Sequence, residues 1–279
     1  MKKENNHHKG KLWKWLLRGF ALILFVIAWF EIPVTEHITL DGNGKISAPV
    51  RFALVTDLHS CYYGKNQAQL VKMLEKGKPD AVLLSGDIFD NKFPDANSKT
   101  FIEAIASKYP CFYVTGNHEI WSKRDRETKE YLVSKGVVVL EGTCCTVNIN
   151  GNDIDFCGVD DPTYMSWEEW GAQLDEAQAG TSPENFKVLL SHRPEKQDTY
   201  SEYDFDLVVC GHAHGGQWKI PFTQMGVLAP DQGRYPKYVD GRYDLGNGHN
   251  MVVSRGLCRE RMPYPRFFNH PEIVMIDVE

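Results

Sequence analysis

The chain has 279 residues, 42% hydrophobic and 24% charged, which suits a globular protein with a sizeable core and excludes a disordered or collagen-like chain. Its formal net charge is −6, yet residues 1–18 hold six basic side chains (Lys2, Lys3, Lys9, Lys11, Lys14, Arg18) against Glu4 alone. Taking these from the 31 basic and 37 acidic residues of the whole leaves 25 and 36, a body near −11; no nucleic-acid partner is expected, because duplex binding rests on neutralising phosphates with Lys and Arg.

The first predicted element is apolar. Gly19–Phe30 reads GFALILFVIAWF without a break, and over Leu12–Pro33 the stretch reaches the roughly 20 residues that cross about 30 Å of hydrocarbon. Lys14 and Arg18 can snorkel to an interface, where Trp13, Trp15 and Trp29 also fit. Positive charge precedes the stretch and Glu31, Glu36 and Asp41 follow it. The positive-inside rule then predicts a basic cytoplasmic N-terminus (1–18), a single transmembrane helix (12–33) and an extracytoplasmic body at the cell membrane. A cleaved signal peptide needs a small-x-small site, and Ala28-Trp29-Phe30-Glu31 is a poor one.

Residues 34–50 form an approach, with an alternating edge strand at Val34–Leu40 and turn chemistry at Asp41-Gly42-Asn43-Gly44. Strand Arg51–Thr56 leads into Asp57-Leu58-His59, and helical spacing follows over Asn66–Lys76. Strand Ala81–Ser85 ends in Gly86-Asp87, ahead of a helix over Lys99–Ser107. Strand Cys111–Thr115 ends in Gly116-Asn117-His118-Glu119, ahead of a helix over Asp125–Lys135. Alternating short strands and helices predict a parallel-type α/β sheet.

The second half turns richer in strands: Gly136–Leu140, then Thr143–Ile149 and Asp153–Val159 joined by Asn150-Gly151-Asn152, a hairpin turn. A helix follows over Trp167–Ala179. Lys187–Leu190 runs into Ser191-His192, and Leu207–Cys210 into Gly211-His212-Ala213-His214. His249–Ser254 and Glu272–Val278 complete a two-sheet sandwich with helices outside, one domain over 51–279. The seven cysteines show no C-x-x-C spacing, which leaves a zinc knuckle without support. Cys111, Cys157 and Cys210 lie in apolar runs and read as small buried hydrophobes.

Five strand ends thus carry Asp57, His59, Asp87, Asn117, His192, His212 and His214, all metal-capable. Any one cluster is also an ordinary polar turn; the joint order carries the inference. A carboxylate such as Asp87 can bridge two cations, and Asn117 offers a neutral hard oxygen. His118 is free to give a proton to a departing oxygen, with Glu119 as a candidate to orient it. Arg193 is a candidate phosphate contact, since a guanidinium presents a fork of donors. Gly215 and Gly216 would let a substrate approach the backbone, Trp218, Ile220, Pro221 and Phe222 would line the mouth, and Arg255, Arg259 and Arg261 are further anion contacts.

The set D-x-H, GD, GNHE, H and GHAH resembles the calcineurin-like metallophosphoesterase superfamily over residues 51–279. The resemblance implies an α/β fold, a four-layer α-β-β-α sandwich of two mixed sheets flanked by helices, with two divalent cations at the strand ends. Asp57, His59 and His214 would hold the first, Asn117, His192 and His212 the second, with Asp87 bridging and His118 catalytic. GHAHGGQWKIPF and LAPDQGRYPKY resemble its membrane-associated phosphodiesterase branch, the YkuE/YaeI type. That branch is similar to the hydrolases of UDP-2,3-diacylglucosamine.

Two cations about 3.5–4 Å apart would activate a bridging hydroxide for in-line attack at phosphorus. Asp, Asn and His donors without Cys favour Mn, then Fe or Zn. The expected activity is a membrane-anchored phosphohydrolase acting on phosphodiesters or pyrophosphates, with lipid-linked and nucleotide-linked substrates in view. The alternatives are a non-catalytic metal-binding scaffold, a phosphomonoesterase of the same fold, and a nuclease, which the acidic body disfavours.

Overall fold

Short aliphatic runs bounded by Gly, Asp and Asn build two six-stranded mixed sheets in the computed structural model, which describes residues 13–20, 22–23, 25–26, 31–221, 223, 225–259 and 265–279. The first sheet contains β1 (Val34–Leu40), β2 (Val50–Val55), β3 (Ala81–Ser85), β4 (Cys111–Val114), β5 (Val138–Val139) and β14 (Glu272–Val278), in the order β1-β14-β2-β3-β4-β5. β2 through β5 run parallel, while β14 lies antiparallel to β2 and parallel to β1. At this seam Arg51 donates from Nε to Asp277 at 2.5 Å.

The second sheet has the order β12-β13-β9-β8-β7-β6: β6 (Thr143–Ile149), β7 (Asn152–Gly158), β8 (Phe186–Leu190), β9 (Leu207–Cys210), β12 (Gly241–Gly246) and β13 (His249–Val253). β7, β8, β9 and β13 are parallel, and hairpin partners close both edges. A two-stranded ribbon, β10 (Leu228–Ala229) with β11 (Gly233–Arg234), lies outside both sheets.

Successive strand residues point to opposite faces, and both faces of each sheet are covered. Phe52, Leu54, Leu83 and Phe112 meet Phe156, Val188 and Val209 between the sheets. There Phe112 stacks on Phe156 at 3.8 Å, and Phe52 meets Phe156 edge-on at 5.7 Å. On the outer face of the first sheet, Ala53, Val55, Val82 and Leu84 pack with helix residues: Leu70 and Leu74 of α1 (Ala68–Gly77), Phe101 and Ile105 of α2 (Ala96–Ala106) and Leu132 of α4 (Asp125–Ser134). α3 (Asn117–Trp121) is one short turn between β4 and α4. The outer face of the second sheet carries Trp170 and Leu174 of α5 (Trp167–Ala179) and Tyr200 of α6 (Gln197–Tyr200). Double coverage explains why these strands read as continuous apolar runs.

The expected transmembrane helix requires correction. Among the described residues no helix is long and apolar enough to cross a membrane. Residues 13–20, 22–23 and 25–26 are helical, and the longest uninterrupted described run, 13–20, has eight residues where about 20 are needed. Residues 1–12, 21, 24 and 27–30 of the expected segments lie outside the described residues. The described residues therefore form a mixed α/β sheet-and-helix fold with no helix able to span a membrane, and the expected single-pass cell-membrane localisation is not supported. Nor is the main ground for a lipid-linked substrate.

Candidate metal centre

The site forms where the parallel strands of both sheets end. β2 leads into Asp57, β3 into Asp87, β4 into Asn117, β8 into His192 and β9 into His212. Five of the seven predicted ligands turn inward on left-handed backbone, with φ of 52° at Asp57, 46° at His59, 52° at Asp87, 64° at His212 and 46° at His214. Asp and His tolerate this region better than bulky residues, and such loops concentrate at functional sites.

All seven side chains are buried and fall into adjacent groups. Asp57, His59 and His214 form one set with ligand atoms within 4.8 Å of one another; Asp87, His192 and His212 form another. Asp87 joins them: its Oδ2 lies 3.5 Å from His59 Nε2 and 3.3 Å from His192 Nε2. Asp57 Oδ1 lies 3.8 Å from His214 Nε2. Asp87 Oδ2, His59 Nε2, His192 Nε2 and Asn117 Oδ1 are all buried without a hydrogen-bond partner. Buried polar atoms are normally satisfied, so four orphans around shared carboxylates fit cations as their partners.

The surroundings aim these atoms. His192 Nδ1 pairs with the Ser85 carbonyl at 2.8 Å, which leaves Nε2 for the site. His59 Nδ1 pairs with Asp90 Oδ2 at 3.1 Å to the same effect. Thr56 Oγ1 donates to Asp57 Oδ2 at 2.8 Å. Burial alone would disfavour charge, but the carboxylates of Asp87, Asp90 and Asp57 outweigh it and raise His59 to about 9. His192 rises to about 10, again against burial, through Asp87, Asp57 and Asp161. Burial also opposes ionisation of Asp87, yet His192, His59 and His118 hold its carboxyl well below the usual range. The cavity attracts positive charge.

His118 sits at the rim, half-buried, edge-on to His59 at 4.3 Å. Its Nδ1 lies 3.2 Å from Asp90 Oδ2, at ion-pair distance but outside hydrogen-bond angles. Asp90, three residues beyond Asp87, therefore faces both His59 and His118, a role that sequence reasoning passed over. Glu119 does not orient His118. Its carboxylate accepts from the backbone N–H of Asp87, Gly116 and Phe89, each at 2.9 Å, and ties the β3 and β4 loops together. Burial and then Asp87 raise Glu119 to about 7.

The predicted substrate contacts are largely engaged within the protein. Arg193 is buried, donating from Nε and Nη2 to Asp161 at 2.5 and 2.9 Å, from Nη2 to Thr163 and from Nη1 to Asp231. Arg255 donates to Glu272 at 2.6 Å and to Glu36 at 2.9 Å. A Cβ on Gly215 would lie 2.4 Å from Asn269 Oδ1, and one on Gly216 2.4 Å from the Cα of Gly226. The space those glycines leave is thus filled by protein. Trp218 is half-exposed, donates from Nε1 to the Pro265 carbonyl at 3.0 Å, and lines a cavity of about 170 Å³ with Val227 and Leu228. Phe222 and Arg261 lie outside the described residues. A larger cavity, about 410 Å³, opens beside Arg193 and Asp231 toward Thr163, Trp167 and Lys196.

Comparison with known proteins agrees with this geometry. Residues 50–216, more than half the chain, match the calcineurin-like phosphoesterase family. The chain is 26% identical over 216 residues to the uncharacterized metallophosphoesterase YkuE of Bacillus subtilis, covering 75% of this chain and 71% of that one. It is 25% identical over 257 residues to phosphodiesterase YaeI of Escherichia coli, covering 90% and 88%. In fold it is similar to TT1561 of Thermus thermophilus, with a TM-score of 0.51 at 14% identity over 75% of this chain and 91% of that one. Sequence match and clustered ligands together lead to one conclusion: the chain belongs to the calcineurin-like phosphoesterase family, whose members are metal-dependent phosphoester hydrolases.

Proposed function

We propose that the protein hydrolyses phosphodiesters or pyrophosphates at a centre of two divalent cations, Mn first and Fe or Zn next. The observation that carries this reading is Asp87: one carboxylate oxygen within 3.5 Å of two imidazole nitrogens from different sheets. Asp57, His59 and His214 would hold one cation, Asn117, His192 and His212 the other, and Asp87 both. When bound, the pair supplies Lewis-acid stabilisation and a water acidic enough to deprotonate near neutral pH.

The protein's own groups set the geometry. His59 and His192 are each fixed through Nδ1, which presents Nε2 to the site. His118 stands at the accessible edge with Asp90 behind its Nδ1, leaving Nε2 to hand a proton to the departing oxygen. Substituents on the phosphate would extend toward the cavity beside Arg193 and Trp167. The relative named a phosphodiesterase supports the diester class.

The test uses the full chain with Mn²⁺ and bis-p-nitrophenyl phosphate, a monoester and a nucleoside diphosphate ester. Asp87→Asn and His118→Ala should each lower turnover by at least about 100-fold. Full activity in both variants would sink the mechanism, and a preference for the monoester would overturn the substrate class.

A further inference from the structure

Asp231 lies outside the five ligand clusters, in the loop between β10 and β11. The loop is held: Gln232 Nε2 donates to the Tyr238 carbonyl at 2.7 Å and Tyr238 N donates back to Gln232 Oε1 at 2.9 Å. Asp231 itself has φ of 54°. Its Oδ2 lies 2.8 Å from His212 Nε2 and also accepts from Arg193 Nη1. Arg193 is in turn locked on buried Asp161.

We propose that Asp231 is a positioning residue for the second cation, holding His212 as the tautomer protonated at Nε2 so that Nδ1 faces the metal. This rests on His212 being a ligand. The alternative tautomer would set the Nε2 lone pair against a carboxylate oxygen at 2.8 Å. A second N–H of Arg193 Nη1, 3.0 Å away, would reach that lone pair, but the lone pair would still face Asp231 Oδ2. A carboxylate only accepts and a guanidinium only donates. The arrangement that satisfies all three groups is Nε2–H and Nη1–H both directed at Oδ2. His212 therefore differs from His59 and His192, whose Nδ1 atoms are occupied and whose Nε2 atoms face the site.

Glu195, His212 and Asp231 also come close enough to hold a cation of their own. Arg193 Nη1 already stands among them, 3.8 Å from Glu195 Oε1 and in contact with the other two. That place is filled by a guanidinium, which favours orientation over a third metal.

Outer carboxylates on metal-bound imidazoles contribute about 10- to 100-fold in metal affinity. The experiment titrates Mn²⁺ into the metal-free full chain by calorimetry, for the wild type, Asp231→Ala and Asp231→Asn, alongside ¹⁵N imidazole spectra of the metal-free protein. The His212 signal is assigned by its loss in His212→Gln. The wild type should bind two Mn²⁺ and show His212 protonated at Nε2. Asp231→Ala should weaken one of the two sites about 10- to 100-fold and leave the other unchanged. Asp231→Asn, which still offers an oxygen acceptor, should weaken it by about 10-fold or less. Unchanged affinity at both sites in Asp231→Ala, or a wild-type His212 protonated at Nδ1, would overturn the proposal. Fewer than two Mn²⁺ in the wild type would instead overturn the dinuclear reading. Should Asp231→Ala fail to fold, the wild-type tautomer and the Asp231→Asn titration decide.

Discussion

Glu119 offers a sharp test because its carboxylate is buried and serves three backbone N–H groups from two ligand loops. Oε2 takes Asp87 and Gly116, and Oε1 takes Phe89. Glu119→Ala strands three buried donors, each worth about 1–3 kcal/mol. The sum, roughly 3–9 kcal/mol, is offset by release of a buried charge and by water entering the vacated space. We expect a net loss of about 3–5 kcal/mol. Glu119→Gln keeps one carbonyl oxygen but turns an amide NH₂ toward a donor, so one of the three contacts becomes a donor facing a donor. Its expected cost is about 1–3 kcal/mol. For a domain of this size each kcal/mol moves Tm by about 2–4 °C, which predicts shifts of about 6–20 °C for Ala and 2–12 °C for Gln. Thermal unfolding by circular dichroism reads both. A Gln variant melting within about 1 °C of the wild type, or an Ala variant more stable than Gln, would refute the three-donor account.

Four further outcomes are expected. Gly216→Ala places a methyl against the Gly226 backbone at φ +71°, so its cost should exceed the roughly 1–2 kcal/mol of left-handed strain alone; chemical denaturation checks it, and a smaller loss would contradict the close crossing. Arg193→Met leaves Asp161 buried without its partner and should cost about 3–5 kcal/mol, read as a Tm drop of about 6–20 °C. In the metal-free protein, folding raises His59 to about 9 and His192 to about 10. Their stabilising contribution is complete below about pH 6.5 and is lost as pH climbs through 9–10, so metal-free melts should weaken across that window. Mn²⁺ binding near neutral pH should expel about two protons, seen as buffer-dependent heats; equal heats in buffers of different ionisation enthalpy would contradict this.

The strands and helices were legible because each buried run carries its own period and its own Gly, Asp or Asn stop. Trp167–Ala179 and Leu207–Cys210 stand with the bounds that spacing suggests, whereas Gly136–Leu140 contracts to Val138–Val139, an edge with one partner. The metal-capable residues were legible as strand-end clusters, since local sequence sets what a strand delivers to its end. Their supporting residues were not. Asp90 resembles any loop acid until β3 and β4 bring His59 and His118 to it. Asp231 sits in Pro-Asp-Gln-Gly turn chemistry, and only tertiary packing shows that it faces His212. Arg193 and Glu119 read as a phosphate contact and an orienter of His118, yet folding turns one onto Asp161 and the other onto backbone amides. The apolar stretch at 12–33 meets every local criterion for a membrane span, yet among the described residues no helix is long and apolar enough to cross one.

The seam between β2 and β14 sets an order of events in synthesis. Arg51 and Asp277 stand 226 positions apart in the chain, yet β14 must slot between β1 and β2. Pairing at such separation closes a very long loop, and folds dominated by distant contacts assemble slowly. A nascent chain can form β2, β3 and β4 in sequence, but it must hold the edge of β2 open until the distant strand emerges. Exposed strand edges of that kind are templates for other chains. The ligand loops can thus be assembled while their sheet remains vulnerable, and chaperone demand should be greatest just before β14 docks.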